Sequence, residues 1–261
     1  MLKTLPDWFY RFFIVWYIGG LILVGFDLLP PSWEWANALF IILAGGIGIF
    51  YLCFTYSPLK GILYSVFVLI LSIWVEYMGT TYGLFFGQYS YTSHFWIQLF
   101  DVPLAVGFAW VAVISSTHAL TKDLLRGLST RLSRFLLFPL IGSMLAVLLD
   151  LIIDPVAFQL KEYWLWEEPG FYYDIPASNF LGWWILAFLF HFIGSIFFYG
   201  KEKASDFQMT WKIRAITLYF LLVLMFCFIG LIGGLYLGAI LVLLITGLIL
   251  GFYFYTKRRS H

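Results

Sequence analysis

The chain has 261 residues, of which 62% are hydrophobic and only 11% charged, with a net charge of +1 and a mean hydropathy of +0.92. Soluble domains carry about 25% charged residues, so a water-soluble globule is excluded, and no nucleic-acid partner is expected. Cys53 and Cys227 both fall inside apolar runs, which supports neither a disulfide framework nor a zinc site.

A bilayer core takes about 20 apolar residues per helix, and eight stretches of the chain reach that length. Span 1, residues 8–29, follows Lys3 and contains Arg11; it lacks a small-residue cleavage pattern and reads as a span rather than a removable signal. Span 2, 34–56, carries Gly45, Gly46 and Gly48, expected as helix contacts. Span 3, 60–79, opens on Lys60 and holds Glu76 near its far end. A loop with Tyr89 and Tyr91 leads to span 4, 101–120, which opens on Asp101 and contains Trp110 and His118. Lys122, Arg126, Arg131 and Arg134 separate it from span 5, 135–154, which ends in Asp150 and Asp154. The next loop holds Lys161, Trp164, Trp166, Tyr173 and Asp174; span 6, 179–199, opens on Asn179 and carries Trp183 and His191. Lys201, Lys203, Lys212 and Arg214 precede spans 7 and 8, 213–234 and 236–255, which form a tight hairpin through "IGGLY". Lys257, Arg258 and Arg259 close the chain.

Eight crossings put all of these cations on one side except Lys161, which sits among Glu162, Glu167, Glu168 and Asp174. By the positive-inside rule both termini are cytoplasmic. The expected fold is an all-α, polytopic helical bundle, one integral membrane domain over 1–261, in the cell membrane. Glu76, Asp101, Asp150, Asp154 and Asn179 then all lie at the outer ends of their helices.

Two loop-helix units resemble each other. Glu76 precedes "DVPLAVGFAW" by 25 residues, and Asp150 precedes "DIPASNFLGW" by 24. Tyr89 and Tyr91 take the place that Trp164 and Trp166 hold in the second unit. Residues 76–110 and 150–183 would be a parallel repeat around a shared cavity.

Asp101 and Asp174 each stand two residues before a proline at a helix start, which is the pattern of an N-cap, and both are carried as candidates for substrate binding. Capping cannot account for Glu76, Asp150 and Asp154. They sit near helix C-termini, where the macrodipole disfavours negative charge, and two aspartates four apart on one face repel. No Lys or Arg lies on that side within the membrane to pair with them. The simplest resolution is that one carboxyl keeps its proton beside another that can accept one. The alternative is a hydrogen-bonded polar cluster that locks helices together. His118 and His191 are read as packing or interfacial residues.

Several chemistries lack their motifs. There is no Gly-x-Gly-x-x-Gly, no Gly-x-Ser-x-Gly and no His-rich cluster, so no cofactor and no metal are expected. Trp164, Trp166, Phe171, Tyr172, Tyr173, Trp183 and Trp184 crowd the acids, and ring faces stabilise cations. Acid, aromatic rings and a lipid-embedded site together suggest protonation of an isoprenoid double bond.

"EYMGTTYGLFFGQYSY" (Glu76–Tyr91), "DVPLAVGFAW", "DLIIDPVA" (Asp150–Ala157), "YWLW" and "YYDIPASNFLGWW" resemble, in that order, the membrane carotenoid 1,2-hydratases, which include the bisanhydrobacterioruberin and γ-carotene hydratases. The resemblance covers about residues 70–190. It implies cofactor-free addition of water to the terminal 1,2 double bond of an acyclic carotenoid, giving a tertiary alcohol. Carotenoid, water and membrane lipid are the implied partners. The expected catalytic groups are Asp150, Asp154 and Glu76; Asn179, Asp101, Asp174, Tyr89, Trp110, Trp164, Trp166, Tyr173 and Trp183 are expected to bind substrate. A carotenoid end-group cyclase starts from the same protonation. A lipid-binding or transport protein is the remaining alternative, and it predicts acids along a path to the cytoplasm.

Overall fold

The structure is a computed structural model and describes residues 4–92, 97–126, 128, 130–198 and 205–258. Lys3, Lys201, Lys203 and Arg259 of the cations named above lie outside the described residues. Eight helices are long and apolar enough to cross a membrane. They are α1 (Thr4–Gly25), α2 (Trp35–Thr55), α3 (Pro58–Tyr82), α4 (Leu104–Leu124), α5 (Phe138–Pro155), α6 (Ala177–Phe197), α7 (Asp206–Ile232) and α8 (Tyr236–Arg258). Each expected span is present, in order, and the protein is a multi-pass all-α bundle.

Local chemistry sets the boundaries. Ser57 caps α3, its hydroxyl accepting from the Lys60 amide at 3.2 Å, with Pro58 pre-set for the first turn. Gly83 ends α3 in the left-handed conformation, at φ 66°. Ser205 caps α7 in the same way as Ser57, and Gly234, at φ 86°, turns the chain between α7 and α8. α4 runs one turn beyond the expected span and so includes Asp123, which pairs with Lys212 at 2.6 Å.

α5 departs most from expectation. Pro155 should stop it, because proline lacks the N–H that would bond the carbonyl of Leu151. Instead the chain continues as a π-helical turn, Val156–Leu160. The freed Leu151 carbonyl accepts a hydrogen bond from the Tyr172 hydroxyl at 2.8 Å. A side chain from the following loop therefore replaces the missing backbone donor, and Asp154 stands directly before the widened turn.

α2 packs mainly on α4, and α5 on α6, with α7 closing the group; α1, α3 and α8 are more peripheral. An added Cβ at Gly45 would meet the Phe108 carbonyl at 2.8 Å, so glycine is what lets α2 approach α4 closely.

The outer loops are ordered by short strands. β1 (Tyr89–Tyr91) pairs antiparallel with β4 (Trp164–Trp166), with Tyr89 opposite Trp166 and Tyr91 opposite Trp164. β2 (Gln98–Leu99) pairs with β3 (Val102–Pro103), and an isolated bridge joins Tyr172 to Ile175.

These last two pairings correct the expected role of Asp101 and Asp174. Neither aspartate caps a helix. Phe100 and Asp101 have φ of 56° and 61°, and Tyr173 and Asp174 have φ of 51° and 60°. Each pair is the two-residue tip of a tight hairpin whose geometry needs both central residues at positive φ. Aspartate tolerates that region better than most residues. Pro103 and Pro176, extended at φ of −61° and −60°, occupy the N-cap positions, with no side-chain cap at either helix.

Candidate active site

A chamber of about 510 Å³ lies between α1, α2, α4, α7 and the outer ends of α3, α5 and α6. Its inner floor is lined by Ala44, Ala112 and Val113, about halfway along α2 and α4, and the paired strands β1 and β4 roof its outer side.

Glu76 and Asp154 face this chamber together with Asn179. All three are buried, at 5%, 2% and 2% exposure, and Asp150 is fully buried behind Asp154. Glu76 lies two turns below the end of α3, where it accepts three hydrogen bonds. The Tyr89 hydroxyl donates to Oε2, the Tyr91 hydroxyl donates to the same oxygen at 2.7 Å, and the Trp110 indole N–H donates to Oε1 at 3.0 Å. Alternation along β1 puts Tyr89 and Tyr91 on one face, which is how a three-residue strand delivers two donors to one carboxyl. Burial first, and then the charge of Glu76, push both phenols above their usual range, so they remain donors. A carboxylate is acceptor-only, and three donors satisfy it as an anion.

The aspartate pair is arranged differently. The Asn179 amide donates to Asp150 Oδ2 at 3.0 Å and also to Asp154 Oδ2. One NH₂ group thus bridges two carboxyls that share a helix face, and α6 begins where it does to bring that amide against α5. The other Asp150 oxygen is buried without a hydrogen-bond partner. Two carboxyls thus share one amide, with no cation among their hydrogen-bond partners.

Rings surround the carboxyls. Trp110 stacks on Trp183 at 4.2 Å between centroids and 26° between planes, and both line the chamber. Tyr89 packs on Trp166 at 4.9 Å and Tyr91 on Trp164 at 6.1 Å. The indole nitrogens of Trp164 and Trp166 are buried in this roof without a hydrogen-bond partner.

Of the sequence-predicted residues, Glu76, Asp154, Asn179, Tyr89, Trp110, Trp164, Trp166 and Trp183 line one chamber, and Asp150 stands immediately behind it. Asp101, Asp174 and Tyr173 do not reach it. The two aspartates are exposed at hairpin tips, and the Tyr173 hydroxyl accepts the Gly238 amide N–H at 3.0 Å, which ties its loop to α8. Residues that sequence reasoning missed include Tyr91 as a site group and the whole wall from α1 and α2. Lys161 was read as a loop cation; it lines the chamber's outer rim and pairs with Asp27 at 3.1 Å. Beside it, Asn37 donates to the Tyr163 hydroxyl at 2.9 Å, and burial pushes that phenol above its usual range. His118 sits between Tyr51 and Tyr56, at 3.0 and 3.3 Å, and His191 bonds Thr117 at 3.0 Å. Both histidines belong to a packed polar cluster on the cytoplasmic side of the chamber floor.

The family model described as carotenoid biosynthesis protein matches residues 36–251. The chain belongs to that family. The family gives the chain a role in carotenoid biosynthesis, and its apolar helices fit interaction with carotenoid and lipid. No curated protein and no solved structure matches the chain. The family match contains Glu76, Asp150, Asp154, Asn179, Trp110, Trp164, Trp166 and Trp183; α1 lies before it.

Proposed function

We propose that this protein is a carotenoid 1,2-hydratase, which adds water to the terminal double bond of an acyclic carotenoid without a cofactor. The observation that carries this reading is the meeting, in one aromatic-lined chamber, of a carboxylate held by three donors and an aspartate pair sharing one amide.

In the proposed reaction the Asp150/Asp154 pair carries one proton, and Asp154, which faces the chamber, delivers it to C2 of the terminal C=C. The π electrons form the new C–H bond and leave a tertiary cation at C1. The faces of Trp110 and Trp183 stabilise that cation. A water molecule bonds to C1 through an oxygen lone pair, and its surplus proton passes to the Glu76 carboxylate. The proton on Glu76 returns to the aspartate pair through water, so the net change is addition of one water. The Asn179 NH₂ and the Tyr89 O–H already donate to the acids, which favours the unpartnered indole N–H groups of Trp164 and Trp166 as the donors that orient the water.

The test is expression in a host that accumulates lycopene or a related acyclic carotenoid, followed by mass analysis of the pigments. Hydration adds one water to the substrate mass. An unchanged mass with altered retention marks a cyclase, and an unchanged pigment with the protein present in the membrane refutes catalysis on that substrate.

A further inference from the structure

The chamber's lining is buried or half-buried except at three residues: Val15, Trp33 and Trp35 are 68%, 52% and 44% exposed. They lie together where α1 passes the start of α2. Val15 precedes Trp16, whose side chain reaches the first turn of α2, so the opening lies where α1 crosses that turn. Val15, Trp16, Gly19, Trp33 and Trp35 give it an apolar border. The Trp16 indole donates to the Ala36 carbonyl at 3.2 Å, and its ring sits 6.0 Å from that of Trp35, which fixes one edge. At Gly19 no atom lies within 4 Å of the place a Cβ would take, so α1 leaves a gap there instead of packing.

Depth shows why an opening is needed. The chamber's inner end lies about halfway along α2 and α4, so a long polyene docked by one end at Glu76 and Asp154 has to extend sideways.

We propose that the opening between α1 and α2 is a lateral portal occupied by the polyene tail. The end group lies at Glu76 and Asp154, and the chain runs out past Trp35, Gly19 and Val15 into the outer leaflet. This inference rests on the carotenoid reading of the chamber and adds a subsite to it. The residues of the portal rim, Val15, Trp16, Gly19, Trp33 and Trp35, all precede residue 36, where the family match begins. Recognition of the tail is therefore built by a different part of the chain from the one that supplies the acids.

The experiment uses the full chain with Cys53→Ser and Cys227→Ala, reconstituted in lipid with or without lycopene, the pigment retained being measured by its absorbance. Val15→Cys is added in one protein, Gly19→Cys in a second, and Leu244→Cys, on the lipid-facing side of α8, in a control. Labelling by a membrane-soluble maleimide should be at least tenfold slower at positions 15 and 19 when pigment is bound, and unchanged at position 244. Equal labelling rates at 15 and 19 with pigment bound, or equal slowing at all three positions, overturn the portal. Failure of the parent protein to retain any pigment overturns the portal together with the carotenoid reading of the chamber. Protection at 15 and 19 without any addition of water leaves the portal standing and removes the hydratase assignment alone.

Discussion

Replacing Glu76 by glutamine separates the chemistry of the chamber from its architecture. The outline of the side chain is kept, but one end of the amide becomes a donor. With the carbonyl turned toward Tyr89 and Tyr91, the NH₂ group faces the Trp110 indole N–H, and the 3.0 Å bond there is lost. Two donors are then left unsatisfied, the amide NH₂ and the indole N–H, at about 1–3 kcal/mol each, so the protein should still insert and fold with a lower unfolding temperature. Loss of a general base costs typically ~10²–10⁴ in rate, and hydration should fall by that factor. Tyr91→Phe is the control. It removes one hydrogen bond to Glu76 and keeps both the ring and the carboxylate, so its rate loss should be at most about tenfold, the equivalent of one ordinary hydrogen bond. Both variants are compared with the parent by thermal unfolding in detergent and by product formed per mole of tagged protein. If Glu76→Gln hydrates within tenfold of the parent, or if Tyr91→Phe is as inactive as Glu76→Gln, Glu76 is not the base.

Asp154→Asn should lower hydration by ~10²-fold or more, whereas Asp150→Asn, one layer behind, should lower it by about tenfold; equal losses from the two in a pigment-mass assay would contradict the division of roles. Asn179→Leu strips the shared donor from both carboxyls, at about 1–3 kcal/mol for each acceptor left bare, and should appear as a large drop in folded yield by size-exclusion chromatography. Tyr172→Phe leaves the Leu151 carbonyl without its partner beside Pro155, with an expected loss of about 1–3 kcal/mol in thermal stability; an unchanged unfolding temperature would show that this bond does not replace the missing backbone donor. Trp164→Phe with Trp166→Phe keeps the rings and removes both indole N–H groups, so kcat should fall while KM for the polyene stays within about twofold, read from initial rates over a range of carotenoid concentrations.

The number and order of spans were legible because twenty apolar residues have few alternatives to a membrane helix. Glu76, Asp150, Asp154 and Asn179 were legible for the same reason in reverse: a carboxyl in such a stretch has to meet another polar group, and their common depth follows from counting residues. What remained hidden is of two kinds. The Asp-x-Pro patterns at Asp101 and Asp174 fit both a helix cap and a hairpin tip, and only the pairing of Leu99 with Val102 and of Tyr172 with Ile175 decides between them. The wall from α1 and α2 carries no signal at all. Val15, Trp16 and Gly19 look in sequence like any lipid-facing residues, because a chamber for an apolar substrate and the bilayer ask for the same side chains. The extension of α5 through Pro155 depends on a tyrosine seventeen residues later in the chain, a distance at which local pattern is silent.

The blind inner end of the chamber has a consequence for a carotenoid that carries two identical reactive termini. With Ala44, Ala112 and Val113 across the floor, the molecule cannot thread through and present its far terminus. It must withdraw, reverse in the lipid and dock again. A hydratase of the kind proposed would then be distributive: singly hydroxylated pigment would build up first, and the diol would follow only as that intermediate competes with fresh substrate for the same berth.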